Sequence, residues 1–180
     1  DHSYLIGSEN MEQMERNSQS SIRQRLWRIR AKHVILATGA IERPLVFAGN
    51  DIPGVMLCSA ALEFYKLYGL SPGDRVVVLT NNDSAYSSVI ELFNAGISVP
   101  LVIDVREKSD GNLPLKAKKL GIRVEFSKAI SKVIGKKKVK AVELCSVVGE
   151  GAVLETIICD SVLMSGGWTS TSVSYTHLTL

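Results

Sequence analysis

The chain has 180 residues, of which 46% are hydrophobic and 22% charged, with a formal net charge of +3. That is the balance of an ordinary globular protein: it excludes a disordered chain, and no apolar run approaches the length of a bilayer-crossing helix. The positive charge gathers at Lys136, Lys137, Lys138 and Lys140, with no interleaved aromatic residues, so it reads as a solvated hairpin turn and not as a nucleic-acid surface.

The first ten residues lack the basic start and apolar core of a signal peptide, and without an initial Met the chain reads as entered within a domain. Residues 10–24, rich in Asn, Gln, Ser and Arg, are expected as a loop or hairpin tip. A short strand follows near residues 26–29, where Trp27 and Ile29 alternate with Arg, and it feeds the apolar run 34–37 of "HVILATGAIERP". Pro44, Pro53 and Gly54 then punctuate an irregular connection. From Ser59 a helical pattern presents Leu62, Tyr65, Leu67 and Tyr68, ends at Gly69, and gives way to the turn Ser71-Pro72-Gly73-Asp74.

The next unit is the clearest. "RVVVLT" (75–80) is a β-branched run suited to a strand buried on both faces, "AYSSVIELFNAG" is helical, and "SVPLVID" (98–104) is a second strand. A β-α-β unit of this kind implies a parallel sheet. After a short helix in "LKAKKLGI", strands near 123–126, 129–134, 138–146 and 153–158 are expected to form a β-meander. Cys58, Cys145 and Cys159 are odd in number and lack metal or redox spacing, which predicts reduced core cysteines of a cytoplasmic protein and no zinc site.

Two stretches match each other without a gap: "AKHVILATGA" (31–40) and "CDSVLMSGGW" (159–168). Each has a polar pair, three apolar residues beginning with Val, small residues and a glycine. With the β-α-β unit between them, they predict the tail of one dinucleotide-binding domain followed by most of a second, a Rossmann-like α/β fold with a parallel sheet plus a meander. A final strand that ends beside a dinucleotide needs a backbone free of Cβ atoms, which makes Thr38, Gly39, Gly166 and Gly167 candidates for cofactor contact. Arg43 is a candidate partner for a phosphate, or for Glu42 or Asp51.

The glycine-rich fingerprint expected after "RVVVL" is replaced by Asn81, Asn82, Asp83 and Ser84. Asn tolerates left-handed backbone and Asp83 or Ser84 can cap the helix, so the turn is still feasible, with less room and a negative charge near the phosphate position. Asp104, closing the second strand, stands where an acidic residue takes the ribose hydroxyls of NAD and disfavours NADP, or where a carboxylate is merely solvated. No catalytic group stands out: His33 sits just ahead of the apolar run, where edge packing is the plainer role.

Through "RQRLWRIRAKHVILATGAIERPLVFAGNDIPGVM" (23–56), "RVVVLTNNDSAY" (75–86) and "DSVLMSGGWT" (160–169), the chain resembles the alpha subunit of heterotetrameric sarcosine oxidase and its relatives among amino-acid and opine oxidases. The loop "TNNDSA" is itself similar to that family's. The resemblance implies a flavoprotein with two dinucleotide domains. They would span residues 1–47, a truncated first domain, and 71–169, an NAD-type second domain, with a crossover and helix at 48–70. It implies bound NAD, a tetrahydrofolate-binding region beyond this stretch, and a partner beta subunit carrying FAD, with FMN near the subunit interface. The implied reaction is oxidative demethylation of a small amine, sarcosine, to glycine, outside any membrane, and this piece alone would be inactive. Two other readings are a subunit of an opine or amino-acid dehydrogenase or hydrogen cyanide synthase, and a ligand-free subunit-docking module. Residues 170–180, "STSVSYTHLTL", depart from the family, and "VSYTHL" is what the transposase end sequence GTC TCT TAT ACA CAT CT encodes with one further base. They are expected to be a non-native tail in which Tyr175 and His177 carry no function.

Overall fold

The computed structural model of the protein describes residues 4–10, 24–35, 37–149 and 151–171. The chain divides into two compact units, 1–38 and 39–180. All of the expected loop at 10–24 except its end residues, and nearly all of the expected tail, 172–180, lie outside the described residues.

In the first unit, strands β1 (Tyr4–Asn10) and β2 (Gln24–Arg30) pair antiparallel, with Tyr4 opposite Arg30 and Asn10 opposite Gln24. The alternation of Trp27 and Ile29 with Arg is the signal that predicts β2. β1 carries little such signal, because its second half, Gly7 to Asn10, has no apolar residue. Glu9 ties the strands by accepting a 2.9 Å hydrogen bond from the Trp27 indole, over which the Arg25 guanidinium lies 5.5 Å from the ring centre.

The expected buried strand at 34–37 is not formed by the described residues of that stretch. Residues 33–35 and 37–38 lie in no strand, Val34 is exposed, and Ile35 keeps 91% of its surface in water. A strand persists when a neighbour takes its N–H and C=O groups, and among the described residues no strand pairs with this one.

The second unit is a three-layer α/β structure. Its elements in chain order begin with β3 (Ala40–Glu42), β4 (Val55–Leu57), α1 (Cys58–Tyr68), β5 (Arg75–Thr80), α2 (Ser84–Asn94), β6 (Ser98–Asp104), α3 (Asn112–Lys119) and β7 (Val124–Phe126). There follow β8 (Lys128–Gly135), β9 (Val139–Ser146), β10 (Val153–Ile158), β11 (Ser161–Ser165) and β12 (Trp168–Ser170). The central sheet is parallel, in the order β4-β11-β5-β6-β7.

The period of two explains why "RVVVLT" is buried from Val76 to Thr80. Val76 and Val78 face a cluster with Ala85, Tyr86, Val89 and Leu92 of α2 and with Ala117 of α3. Val77 and Leu79 face the opposite way, onto Ile130, Val133, Val142 and Leu144 of the antiparallel sheet β10-β9-β8. Each fully buried aliphatic side chain contributes about 1.5–3 kcal/mol. α1 ends as expected, with Gly69 in the left-handed conformation at φ 65°.

Two elements differ from expectation. The meander has three strands, because β7 leaves it and extends the parallel sheet beside β6, the crossover being made by α3. Within the expected irregular connection, "VML" becomes the edge strand β4, seated on β11 just after the Pro53-Gly54 turn. All three cysteines are buried and unpaired, and among the described residues no helix is long and apolar enough to cross a membrane.

Candidate functional site

The carboxyl ends of β5, β6 and β11 lie side by side, Thr80 next to both Asp104 and Ser165. The loops that leave them, 81–83, 105–111 and 166–167, form the edge of a parallel sheet at which such folds place ligands.

The loop after β5 turns without glycine and, contrary to expectation, without left-handed asparagine: among the described residues only Ser127 has a positive φ outside glycine. Side chains replace backbone freedom. Thr80 Oγ1 donates to the Asn82 carbonyl at 3.0 Å and accepts from the Asn82 N–H at 3.1 Å. The Asn82 amide reaches across to β11, donating to the Ser165 carbonyl and hydroxyl at 3.1 Å each, and it also donates to Asn81 Oδ1 at 3.1 Å. Ser84 donates to Asn82 Oδ1 at 2.5 Å and accepts from the Trp168 indole at 2.8 Å. The expected side-chain cap is not made either: neither Asp83 nor Ser84 caps α2, whose first N–H groups are left without a side-chain acceptor.

Asp83 is drawn instead into a charged cluster. Asp104 is 0% exposed, and Arg106, two residues beyond it, returns to clasp it, Nε to Oδ1 at 2.9 Å and Nη2 to Oδ2 at 2.7 Å. The Tyr86 hydroxyl donates to the same Oδ2 at 2.8 Å, and the Arg106 N–H donates to Oδ1 at 3.1 Å. Arg106 Nη2 also meets Asp83 Oδ1 at 2.7 Å, an oxygen that accepts from Ser109 Oγ at 2.9 Å. Burial pushes the Tyr86 phenol well above its usual range, and the hydrogen bond to Asp104 pushes it further. Partial burial raises the Asp83 carboxyl, but the hydrogen bonds from Arg106 and Ser109 and the Arg106 charge outweigh it, leaving the group below its ordinary value.

The glycine positions fall into two kinds. A Cβ on Gly166 would lie 2.9 Å from the Pro44 carbonyl and 3.0 Å from that of Arg43, so the missing side chain makes room for protein backbone. Two hydrogen bonds use that room: Gly166 N–H to Arg43 O at 2.7 Å and Arg43 N–H to Gly167 O at 2.8 Å. Gly39 and Gly167 instead have φ of 72° and 88° with open space where a Cβ would stand. Arg43 thus meets the Gly166-Gly167 turn through its backbone, while its side chain is exposed. Thr38 is exposed and lies in the first unit.

Asn81, Asn82, Asp83, Ser84, Asp104, Gly166 and Gly167 are therefore brought to one edge of the sheet. Sequence reasoning missed Arg106, Tyr86, Ser109 and Trp168, which organise that edge. The one available signal was Arg106, a cation two residues after a strand-ending Asp. It also missed Glu42, only 4% exposed, which accepts from the Ser59 N–H at 2.8 Å and hydroxyl at 2.6 Å and so serves the first turn of α1 from a distance. Among the described residues no group of His, Cys, Asp and Glu is arranged to hold a metal ion.

No family model matches the chain. The chain is 39% identical over 145 residues to sarcosine oxidase subunit alpha of Rhizobium meliloti (strain 1021), a match that covers 81% of this chain and 14% of that relative. The chain therefore spans about a seventh of that relative's length. Among solved structures it is similar to T. acidophilum thioredoxin reductase, with a TM-score of 0.63, 22% identity, and coverage of 81% of this chain and 47% of the other. It is similar also to a FAD-dependent pyridine nucleotide-disulphide oxidoreductase from Desulfovibrio vulgaris, with a TM-score of 0.59, 16% identity, and coverage of 83% and 39%. The α/β fold read from the sequence and the resemblance to sarcosine oxidase subunit alpha are both borne out.

Proposed function

We propose that this chain is a cofactor-binding piece of an oxidoreductase subunit like sarcosine oxidase subunit alpha, and that residues 71–169 bind NAD. The observation that carries this reading is the start of α2: a helix N-terminus without a side-chain cap, at the carboxyl edge of a parallel sheet, between the loops that follow β6 and β11. Such a terminus suits a pyrophosphate, since its N–H groups and the positive end of the helix dipole both favour an anion.

In this reading Asn81, Asn82 and Ser84 shape the pyrophosphate side, and Gly167, with open space before it, admits the dinucleotide beside β11. Asp104, having no exposed surface, contributes by holding Arg106 in place. When bound, NAD supplies a nicotinamide that exchanges hydride. Thr38, the last residue of the first unit, and Gly39 and Arg43, at the start of the second, lie along the chain's entry into this unit. The likeness to sarcosine oxidase subunit alpha further supports oxidation of a small amine in a cytoplasmic hetero-oligomer, with FAD on a partner beta subunit, FMN near the subunit interface and tetrahydrofolate bound by a region beyond this stretch.

The test is to assemble the full-length subunit with its partners, denature it, and identify released cofactors by mass spectrometry. Stoichiometric NAD from this subunit is the expected result. An adenine-free subunit sinks the reading and leaves residues 71–168 as a docking scaffold.

A further inference from the structure

We propose that Asp83 makes this site selective for a dinucleotide lacking a 2′-phosphate, because its carboxylate already occupies the anion slot that Arg106 and Ser109 would otherwise offer. The inference rests on the dinucleotide reading above and adds the residue that sets the choice between the two nicotinamide cofactors.

The slot has a floor, a wall and an occupant. Its floor is Arg106, whose guanidinium is immobilised from below by the fully buried Asp104 through two hydrogen bonds of 2.9 and 2.7 Å. Its wall is Ser109, whose hydroxyl donates to Asp83 Oδ1 at 2.9 Å and accepts from the Gly111 N–H at 3.3 Å. Its occupant is the Asp83 carboxylate, 2.7 Å from Arg106 Nη2, in a space kept open by Gly111, where a Cβ would collide with that carboxylate. An immobilised guanidinium with a hydroxyl beside it is what recognises a phosphate, and it stands just past the second strand of the β-α-β unit, on the side of the adenosine ribose.

Two carboxylates against one guanidinium leave the cluster with a net negative charge, so a 2′-phosphate would meet repulsion and a cation whose Nε and Nη2 are already engaged by carboxylates. Lys108, on the same loop, is itself 3.7 Å from Asp110. The unphosphorylated ribose of NAD meets no such conflict. The sequence pointed to Asp104 for this discrimination; the geometry transfers it to Asp83, which is exposed enough to meet a ligand.

The experiment titrates NAD and NADP, by calorimetry, into the full-length subunit assembled with its partners and freed of bound nucleotide. It compares the wild type, Asp83→Asn, and the double variant Asp83→Asn with Arg106→Gln. The wild type is expected to prefer NAD. Asp83→Asn should move the affinity ratio toward NADP by about tenfold or more, the scale of one charge-assisted contact, and the double variant should lose that gain. Asp83→Ser, shorter and neutral, serves should the asparagine variant melt early, with the same expected shift. A ratio unmoved within about twofold in the folded variant, a gain that survives loss of Arg106, or a wild type that binds NADP as tightly as NAD overturns the inference while leaving the dinucleotide site standing. A wild type that binds neither nucleotide overturns the dinucleotide reading, and the inference falls with it.

Discussion

Residues 31–40 and 159–168 are alike in sequence and opposite in structure. In the second stretch Val162, Leu163 and Met164 form the middle of β11, fully paired between β4 and β5 and buried from side to side. In the first, Val34 and Ile35 occupy the matching positions and stand in water outside any strand. The apolar triplets, Val-Ile-Leu and Val-Leu-Met, are alike; what differs is whether hydrogen-bonding neighbours are present. Beyond the triplets the likeness returns. Gly39 and Gly167 are matching residues, both take a positive φ, and each leads into a three-residue strand, β3 or β12, which pairs with the other.

The strongest way to break this comparison is to truncate one residue of each triplet. Leu163→Ala should cost about 3 kcal/mol, because it empties a site with 0% exposure, whereas Ile35→Ala, at 91%, should change stability by less than about 0.5 kcal/mol. Denaturant melts of the two variants check this, and comparable losses would mean that residues 34–37 are packed after all. The glycines give the next contrast. Gly166→Ala, whose Cβ would press on two carbonyl oxygens, should destabilise by about 1–3 kcal/mol, and Gly39→Ala, which meets only backbone strain, by about 1–2 kcal/mol. Opening Gly166 should also loosen the 43–44 crossing, read as faster amide exchange at Arg43 and Gly166.

A smaller difference lies in the side chain that follows each triplet. Ser165→Ala removes a hydroxyl that accepts from Asn82 and should cost about 1 kcal/mol, while the matching position is already Ala37 and has nothing to lose. The smallest is a pH effect. Burial, and then the Asp160 charge, push the Cys159 thiol up to about 12 from 9.0. Below the ordinary thiol value both folded and unfolded states keep the proton, so stability is flat there. Above it the unfolded chain ionises first, so stability should fall as pH rises from 9.0 toward 12. Alkylation at neutral pH should leave Cys159 and Cys58 unmodified until the protein unfolds; rapid native labelling of Cys159 would show β11 to be less enclosed than described.

The parts of the fold that were legible in the sequence are those in which one segment carries its own signal. β5 announces itself through a β-branched run buried on two faces, α2 through its periodicity, and α1 through the glycine that ends it. β4, three residues long, has no period long enough to read; β7 is legible as a strand near 123–126, but its place beside β6 in the parallel sheet is decided by packing that its own residues do not show. Val34, Ile35 and Ala37 fail for the converse reason, since a strand-like pattern without neighbours is not a strand. At the site, the loop residues were placed at the right edge of the sheet, but their bonding was not foreseeable. Apart from Arg106, two residues after Asp104, nothing local says that Asn82 reaches Ser165 or that Tyr86 closes over Asp104, because those contacts depend on how distant elements pack.

The pairing of β3 with β12 brings residue 171 back to residue 39 within the second unit, and the Thr171 N–H reaches the Gly39 carbonyl at 3.1 Å. A stretch of chain that leaves from the point at which it arrived behaves as a cassette: a host can accept it across a gap no wider than one hydrogen bond, without stretching to span it. By the same geometry, residues 171 and 39 can be joined by a short linker and the chain reopened elsewhere. Circular permutation between β9 and β10, where residues 147–149 are exposed, would then keep every strand of the parallel sheet in register.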